Sequence, residues 1–245
     1  MDDRGSSLTL AGHLDELRRR LGISLAAFLL ATAVSWTQGD RLIAWLQDPA
    51  GFRLPRFAYF SPTEPLLAYL KVAMLSGCIL AMPVLLWQAW AFIQSGLQPQ
   101  ERREGLLFIW WGSAQFLAGA AFAYFWLLPA SLKILLGIGR DLLEPMISVD
   151  RYLGFVTALV FWCGLIFELP VVLVLLAKAG VVTPEWLRQQ RPYAILVLFI
   201  VSAVVTPTTD PVSLFLMAVP LLVLYELSIL VTRLAMPSPS GGTRP

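Results

Sequence analysis

Long apolar runs separated by short polar breaks dominate the chain, and the runs are too long for strands. Six stand out, at about 21–36, 66–93, 105–128, 152–177, 192–205 and 212–230. A helix needs about 20 residues to cross the ~30 Å hydrocarbon core, and in lipid only helices and closed barrels satisfy their own backbone groups. The pattern therefore predicts an all-α membrane protein of six transmembrane helices, the last two short. Pro192 to Val205 is only 14 residues, roughly 21 Å at 1.5 Å per residue. The sixth run starts at Val212 and meets Glu226 after 14 apolar residues. Two short spans imply either local bilayer thinning or helices that extend into their loops and pack there.

Punctuation refines the elements. Ahead of the first run, Leu10, Leu14, Leu17 and Leu21 share one face of an amphipathic helix over about 10–20, with Asp15, Glu16, Arg18, Arg19 and Arg20 on the rest. Ser61-Pro62-Thr63-Glu64 reads as a capping serine, a first-turn proline and a glutamate that closes the box. Pro83 should kink the second span, and Pro129 should stop the third. Asp210-Pro211 is a cap and first residue for the sixth. The loops at 39–65, with an interfacial piece at Leu42–Leu46, and at 130–150 fall on one side. Residues 1–234 form one polytopic domain, followed by a tail at 235–245 rich in Ser, Gly and Pro that reads as disordered.

An even number of spans places both termini on the same side. The terminal segments and the loops near 94–104 and 178–191 hold eleven Lys and Arg, against six in the two longer loops. By the excess of basic residues on cytoplasmic flanks, both termini are expected in the cytoplasm. Trp87, Trp90, Trp110 and Trp111 cluster where spans two and three should cross the interface.

Composition agrees: 58% of the 245 residues are hydrophobic and 14% charged, where a soluble domain carries about 25% charged residues. The net charge of +2 and the lack of a basic stripe exclude nucleic acid as a partner. Cys78 and Cys163 both lie in apolar runs and read as core residues. About twenty mixed-charge residues precede the first run, with no small-residue cleavage site after it, so the start does not read as a cleaved signal peptide. With one histidine, His13, there is no triad and no histidine-based metal site. No internal repeat or phosphate loop appears. The expectation is a protein that is not an enzyme and holds neither metal nor cofactor.

What remains is a set of carboxylates in unusual places. Glu168 lies ten residues before Lys178, about 15 Å in from that end. An ionised group there costs at least ~2.5–3.5 kcal/mol on insertion scales, so it must be neutral or face a polar cavity or partner. Pro170 frees a backbone carbonyl beside it. The alternative is an interhelical hydrogen bond that only fixes packing. Glu16 and Glu101 flank different spans at one membrane face, and Glu226 with Arg233 reads as a snorkelling pair at the rim.

These residues also carry a resemblance. His13-Leu14-x-Glu16-Leu17-Arg18, Ser61-Pro62-Thr63-Glu64-Pro65 with Tyr69-Leu70-Lys71, and Trp90-Ala91-Phe92-Ile93 with Gly96-Leu97 and Glu101-Arg102-Arg103 follow in order. Then come Gly119-x-x-Phe122-x-Tyr124-Phe125, Phe167-Glu168-x-Pro170, Arg191-Pro192-Tyr193, Thr206-Pro207 with Asp210-Pro211, and Pro220 with Leu224-Tyr225-Glu226. From Gly12 to about Arg233 the chain resembles the TatC proteins, the multispanning subunit of the twin-arginine protein export pathway.

The resemblance implies a receptor in the cytoplasmic (inner) membrane for paired-arginine signal peptides of folded cargo. It would assemble in a multi-copy complex with single-span partners of the TatA and TatB type. It implies a peptide site on Glu16, Arg18, Phe92, Leu97, Glu101 and Arg103, where carboxylates match the guanidinium fork. It implies a partner contact at Glu168, and partner or structural roles for Pro49, Asp210 and Glu226. One position departs from the family pattern: Leu214 stands where a glutamine is usual. The competing reading is a proton- or ion-coupled solute transporter using Glu168 and Glu226.

Overall fold

The computed structural model describes residues 10–47, 57–93, 105–137, 146–205 and 211–235. Helix α1 (Leu10–Trp36) is one uninterrupted helix of 27 residues, so the amphipathic stretch and the first apolar run are continuous. No proline interrupts it, and hydrogen bonding propagates straight through the arginine triplet. At Thr37–Gln38 the chain turns by 82° into α2 (Gly39–Leu46). The turn's amides return to the last carbonyls of α1, Thr37 N–H to Val34 O (3.2 Å) and Gln38 N–H to Ser35 O (3.0 Å).

Helix α3 (Glu64–Ile93) holds Pro83 within its length. Its start differs from the expected box. Ser61 Oγ accepts from the Thr63 amide at 3.4 Å, while the Glu64 carboxylate accepts from Ser148 Oγ at 2.8 Å. A two-bond bridge, Ala58 N–H to Ile147 O (3.1 Å) and Val149 N–H to Ala58 O (3.0 Å), brings Ser148 alongside and wins that carboxylate.

The third span does not stop at Pro129. Helix α4 (Gly105–Phe122) passes through a π-helical turn at Ala123–Leu127 into α5 (Leu128–Leu135). Proline cannot donate to the carbonyl four residues back, and a wider turn just before it absorbs the mismatch. The fourth span is α6 (Val149–Phe167) and α7 (Leu169–Lys178), interrupted at Glu168. Ser148 caps α6 by accepting from the Arg151 amide at 3.4 Å. A short α8 (Pro184–Gln189) leads to α9 (Arg191–Val205), only 15 residues long, and then to α10 (Pro211–Ala235). The apolar run of α10 is short, but the helix continues nine residues past Glu226.

Small residues let the helices approach. A Cβ on Gly77 of α3 would lie 2.7 Å from the Thr32 backbone, so α1 and α3 touch backbone to backbone. A Cβ on Gly119 of α4 would lie 2.7 Å from the Cys163 carbonyl of α6. Close approach of this kind drives association in lipid, where no hydrophobic force separates helix from solvent. Fully buried side chains include Phe116, Leu127, Leu128, Leu153, Met217 and Leu221. Buried hydroxyls of Thr157, Ser228 and Thr232 donate to carbonyls one turn back, at 2.6–2.7 Å.

Candidate functional site

Two observations fix which helix ends lie together. The Trp36 and Tyr69 rings meet tilted at 56°, 6.0 Å apart, and Thr32 abuts Gly77, so α1 and α3 are antiparallel. From that crossing, Glu16 lies 16 residues along α1 and Phe92 15 residues along α3, roughly 24 and 22 Å. Glu16 and Phe92 therefore reach the same face. Gly105 joins them, because a Cβ there would sit 2.3 Å from Trp90 Nε1. A cavity of about 390 Å³ opens at this end, lined by Trp90, Phe108, Trp111, Val171, Leu175 and Lys178.

Glu16 is not bare. Arg20, four residues on, donates to its Oε1 from Nη2 at 2.5 Å and from Nε at 3.1 Å. The i,i+4 spacing with glutamate first is the favourable order, and it was available in the sequence. Arg18 points outward and is exposed, and Phe92 is half-buried at the end of α3. Leu97, Glu101, Arg103, Pro49 and Asp210 lie outside the described residues.

Glu168 sits at the joint of α6 and α7, in a near-helical conformation (φ −73°, ψ −11°) that serves as the end of one and the start of the other. Only 4% of it is exposed, and neither carboxylate oxygen has a hydrogen-bond partner among the described residues. Gly112 of α4 makes its room: a Cβ there would lie 3.1 Å from Oε2 and 2.7 Å from Leu86 Cδ1. Leaving a buried polar group unmatched costs about 1–3 kcal/mol, so this carboxyl is a hydrogen-bonding group without a partner among the described residues.

Glu226 does not pair with Arg233. Its carboxylate accepts from Arg191 Nη2 at 2.5 Å, while Tyr225 OH donates to the Leu187 carbonyl at 2.8 Å. Together they fasten α8 and α9 to α10. The seven-residue spacing to Arg233 puts that side chain two turns away, whereas Arg191 comes in from the neighbouring helix.

A family model described as "Sec-independent protein translocase protein (TatC)" matches residues 12–220. The chain belongs to the TatC family. It is 37% identical to the TatC of Carboxydothermus hydrogenoformans over all of both chains. It is 41% identical to that of Aquifex aeolicus, over 93% of this chain and 96% of the relative. Among solved structures, a crystal structure of the twin arginine translocase receptor TatC is 41% identical, with a TM-score of 0.82, over 91% of this chain and 99% of that one. The family membership accounts for the six-span, all-helical fold, and nothing in these likenesses favours the solute-transporter reading.

Sequence reasoning missed the polar pairs that lock the opposite end. Lys71 Nζ donates to Asp150 Oδ1 at 2.6 Å. Tyr124 and Tyr152 donate to the carbonyls of Trp45 and Leu46 at 2.6 and 2.9 Å. Tyr69 OH donates to Asp40. Each joins residues far apart in sequence, and no local spacing announces it.

Proposed function

We propose that this chain is the signal-peptide receptor and core subunit of a twin-arginine translocase, working by binding rather than by catalysis. The observation that carries the reading is the near full-length likeness, in sequence and in fold, to a solved twin arginine translocase receptor. In this reading the end that gathers Glu16, Phe92 and Gly105 faces the cytoplasm, as the basic-residue bias favours, and both termini lie there. Glu16 and Glu101 receive the paired arginines, with Arg18, Phe92, Leu97 and Arg103 around them. A desolvated carboxylate–guanidinium pair costs about 2–5 kcal/mol to break, against under ~1 kcal/mol for an exposed one.

Glu168 then offers its unmatched carboxyl to a single-span partner subunit lying along α4 and α7. Pro49, Asp210 and Glu226 take supporting roles, Glu226 by holding α9. The test is photo-crosslinking of a paired-arginine peptide to membranes containing this protein. Wild type should crosslink, and Glu16→Ala, Glu101→Ala and a peptide with both arginines changed to lysine should not. Equal crosslinking of the lysine peptide would refute recognition by the carboxylates.

A further inference from the structure

Helices α1, α3 and α6 enclose an open groove of about 520 Å³, walled by Phe28, Met74, Cys78, Ala158, Phe161 and Trp162. Because Glu64 at the start of α3 bonds Ser148 at the cap of α6, these two helices run side by side from one membrane face. Lys71 and Gly154 mark the upper end of the groove and Cys78 and Trp162 its lower end. Seven to eight residues separate them, roughly 11 Å along the helices. That is most of one leaflet's share of the ~30 Å hydrocarbon core.

The upper end is charged. Lys71 lies seven residues inside α3, about 10 Å down the helix, and its stem rises so that the ammonium meets Asp150 at 2.6 Å. Gly154 makes space for it, since a Cβ there would stand 3.2 Å from Nζ. Nζ also reaches the Asp150 carbonyl at 3.5 Å, and one firm and one long hydrogen bond leave the ammonium a third donor. Arg151, three residues before Gly154 and so on the same face of α6, is exposed and makes no ion pair among the described residues.

We propose that this groove seats one glycerophospholipid of the leaflet on the Ser148 side. Its phosphate lies at Lys71 and Arg151, and one acyl chain runs along the wall formed by Phe28, Met74, Phe161 and Trp162. The occupant is chosen by charge complementarity: Lys71, Asp150 and the exposed Arg151 together leave one net positive charge at the mouth of an apolar slot of leaflet depth. A neutral diacylglycerol would match the slot but bring Arg151 no counter-charge.

The test is native mass spectrometry of the full-length chain in detergent, with palmitoyl-oleoyl phosphatidylglycerol or the matching diacylglycerol added. Wild type should retain one phosphatidylglycerol at energies that strip the surrounding lipid, and retain no diacylglycerol. Ala158→Trp fills the slot, spares both cations and should abolish retention. Arg151→Gln should weaken it about fivefold, the worth of one basic residue at a membrane surface. Should Ala158→Trp not fold, quenching by brominated phosphatidylglycerol gives a second measure: Trp162→Phe should lose a quenchable component that wild type shows. Equal retention by wild type and Ala158→Trp, equal retention of the two lipids, or unchanged quenching in Trp162→Phe would each overturn the assignment. A wild-type dimer that Ala158→Trp separates would give the groove to a second copy instead.

Discussion

Replacing Glu168 by methionine should make the isolated chain more stable and its complex weaker. The carboxylate oxygens are buried without partners among the described residues, and the side chain lies in a slot bounded by Gly112 and Leu86. Methionine has similar reach and a flexible thioether that adapts to an irregular gap. Removing an unmatched polar group recovers about 1–3 kcal/mol. For a chain of this size, about 2–4 °C of Tm accompanies each kcal/mol, so the purified variant should melt roughly 2–12 °C above wild type. The assay is thermal unfolding in detergent, followed by circular dichroism, paired with a pull-down of single-span partners from membranes. Glu168→Gln should retain assembly, because an amide still donates and accepts, whereas Glu168→Ala and Glu168→Met should lose it. A methionine variant less stable than wild type would refute the reasoning, since the carboxyl would then be making a bond within the chain. Equal behaviour of Gln and Ala in the pull-down would sink the partner role.

Arg20→Gln should free Glu16 from its intrahelical pair and tighten peptide binding about twofold, the worth of an i,i+4 ion pair of ~0.3–0.5 kcal/mol; weaker binding in a fluorescence titration would mean that Arg20 helps hold the peptide. Gly77→Leu must push α1 from α3, because even a Cβ meets the Thr32 backbone at 2.7 Å, and should cost about 1–3 kcal/mol or more. Gly22→Ala, where nothing lies within 4 Å, should instead stabilise by up to ~1 kcal/mol, and thermal unfolding of the two variants separates them. Arg191 and Glu226 are 41% and 53% exposed at their side chains, so a double-mutant cycle should return a coupling of only about 0.2–1 kcal/mol. A coupling several times larger would show that the pair is desolvated by lipid.

How much of this was legible in the chain follows from the reach of each signal. Hydropathy runs are local, and the six spans emerge directly from them because lipid enforces helix on any long apolar run. Boundaries fared less well where a tertiary contact competed with a local rule. Pro129 is a stop signal by itself, yet the π-helical turn at Ala123–Leu127 carries the helix past it. The glutamate of Ser61-Pro62-Thr63-Glu64 left its box for Ser148, 84 residues away. Glu226 found Arg191 rather than Arg233 because α9 packs on α10. Glu168 stood out by its depth in an apolar run, but the slot at Gly112 that holds it is visible only once α4 and α6 meet. Glu16 stands out by its place beside a span, and its i,i+4 spacing to Arg20 carries the pair that holds it.

The tyrosines that fasten α2 impose an order on biosynthesis. The Trp45 carbonyl meets Tyr124 79 residues later, and the Leu46 carbonyl meets Tyr152 106 residues later. At ribosomal rates of about 5–20 residues per second, the second bond waits roughly 5–20 s after Leu46 is made. During that interval α1 and α3 can already pair, since their contact needs only the first hairpin in the bilayer. The elbow between them closes in stages: Tyr69 reaches Asp40 within that hairpin, Tyr124 follows with the third span, and the last bond waits for the hydroxyl of Tyr152. A nascent chain released before Tyr152 would carry its first hairpin in place and a Leu46 carbonyl still without its tyrosine.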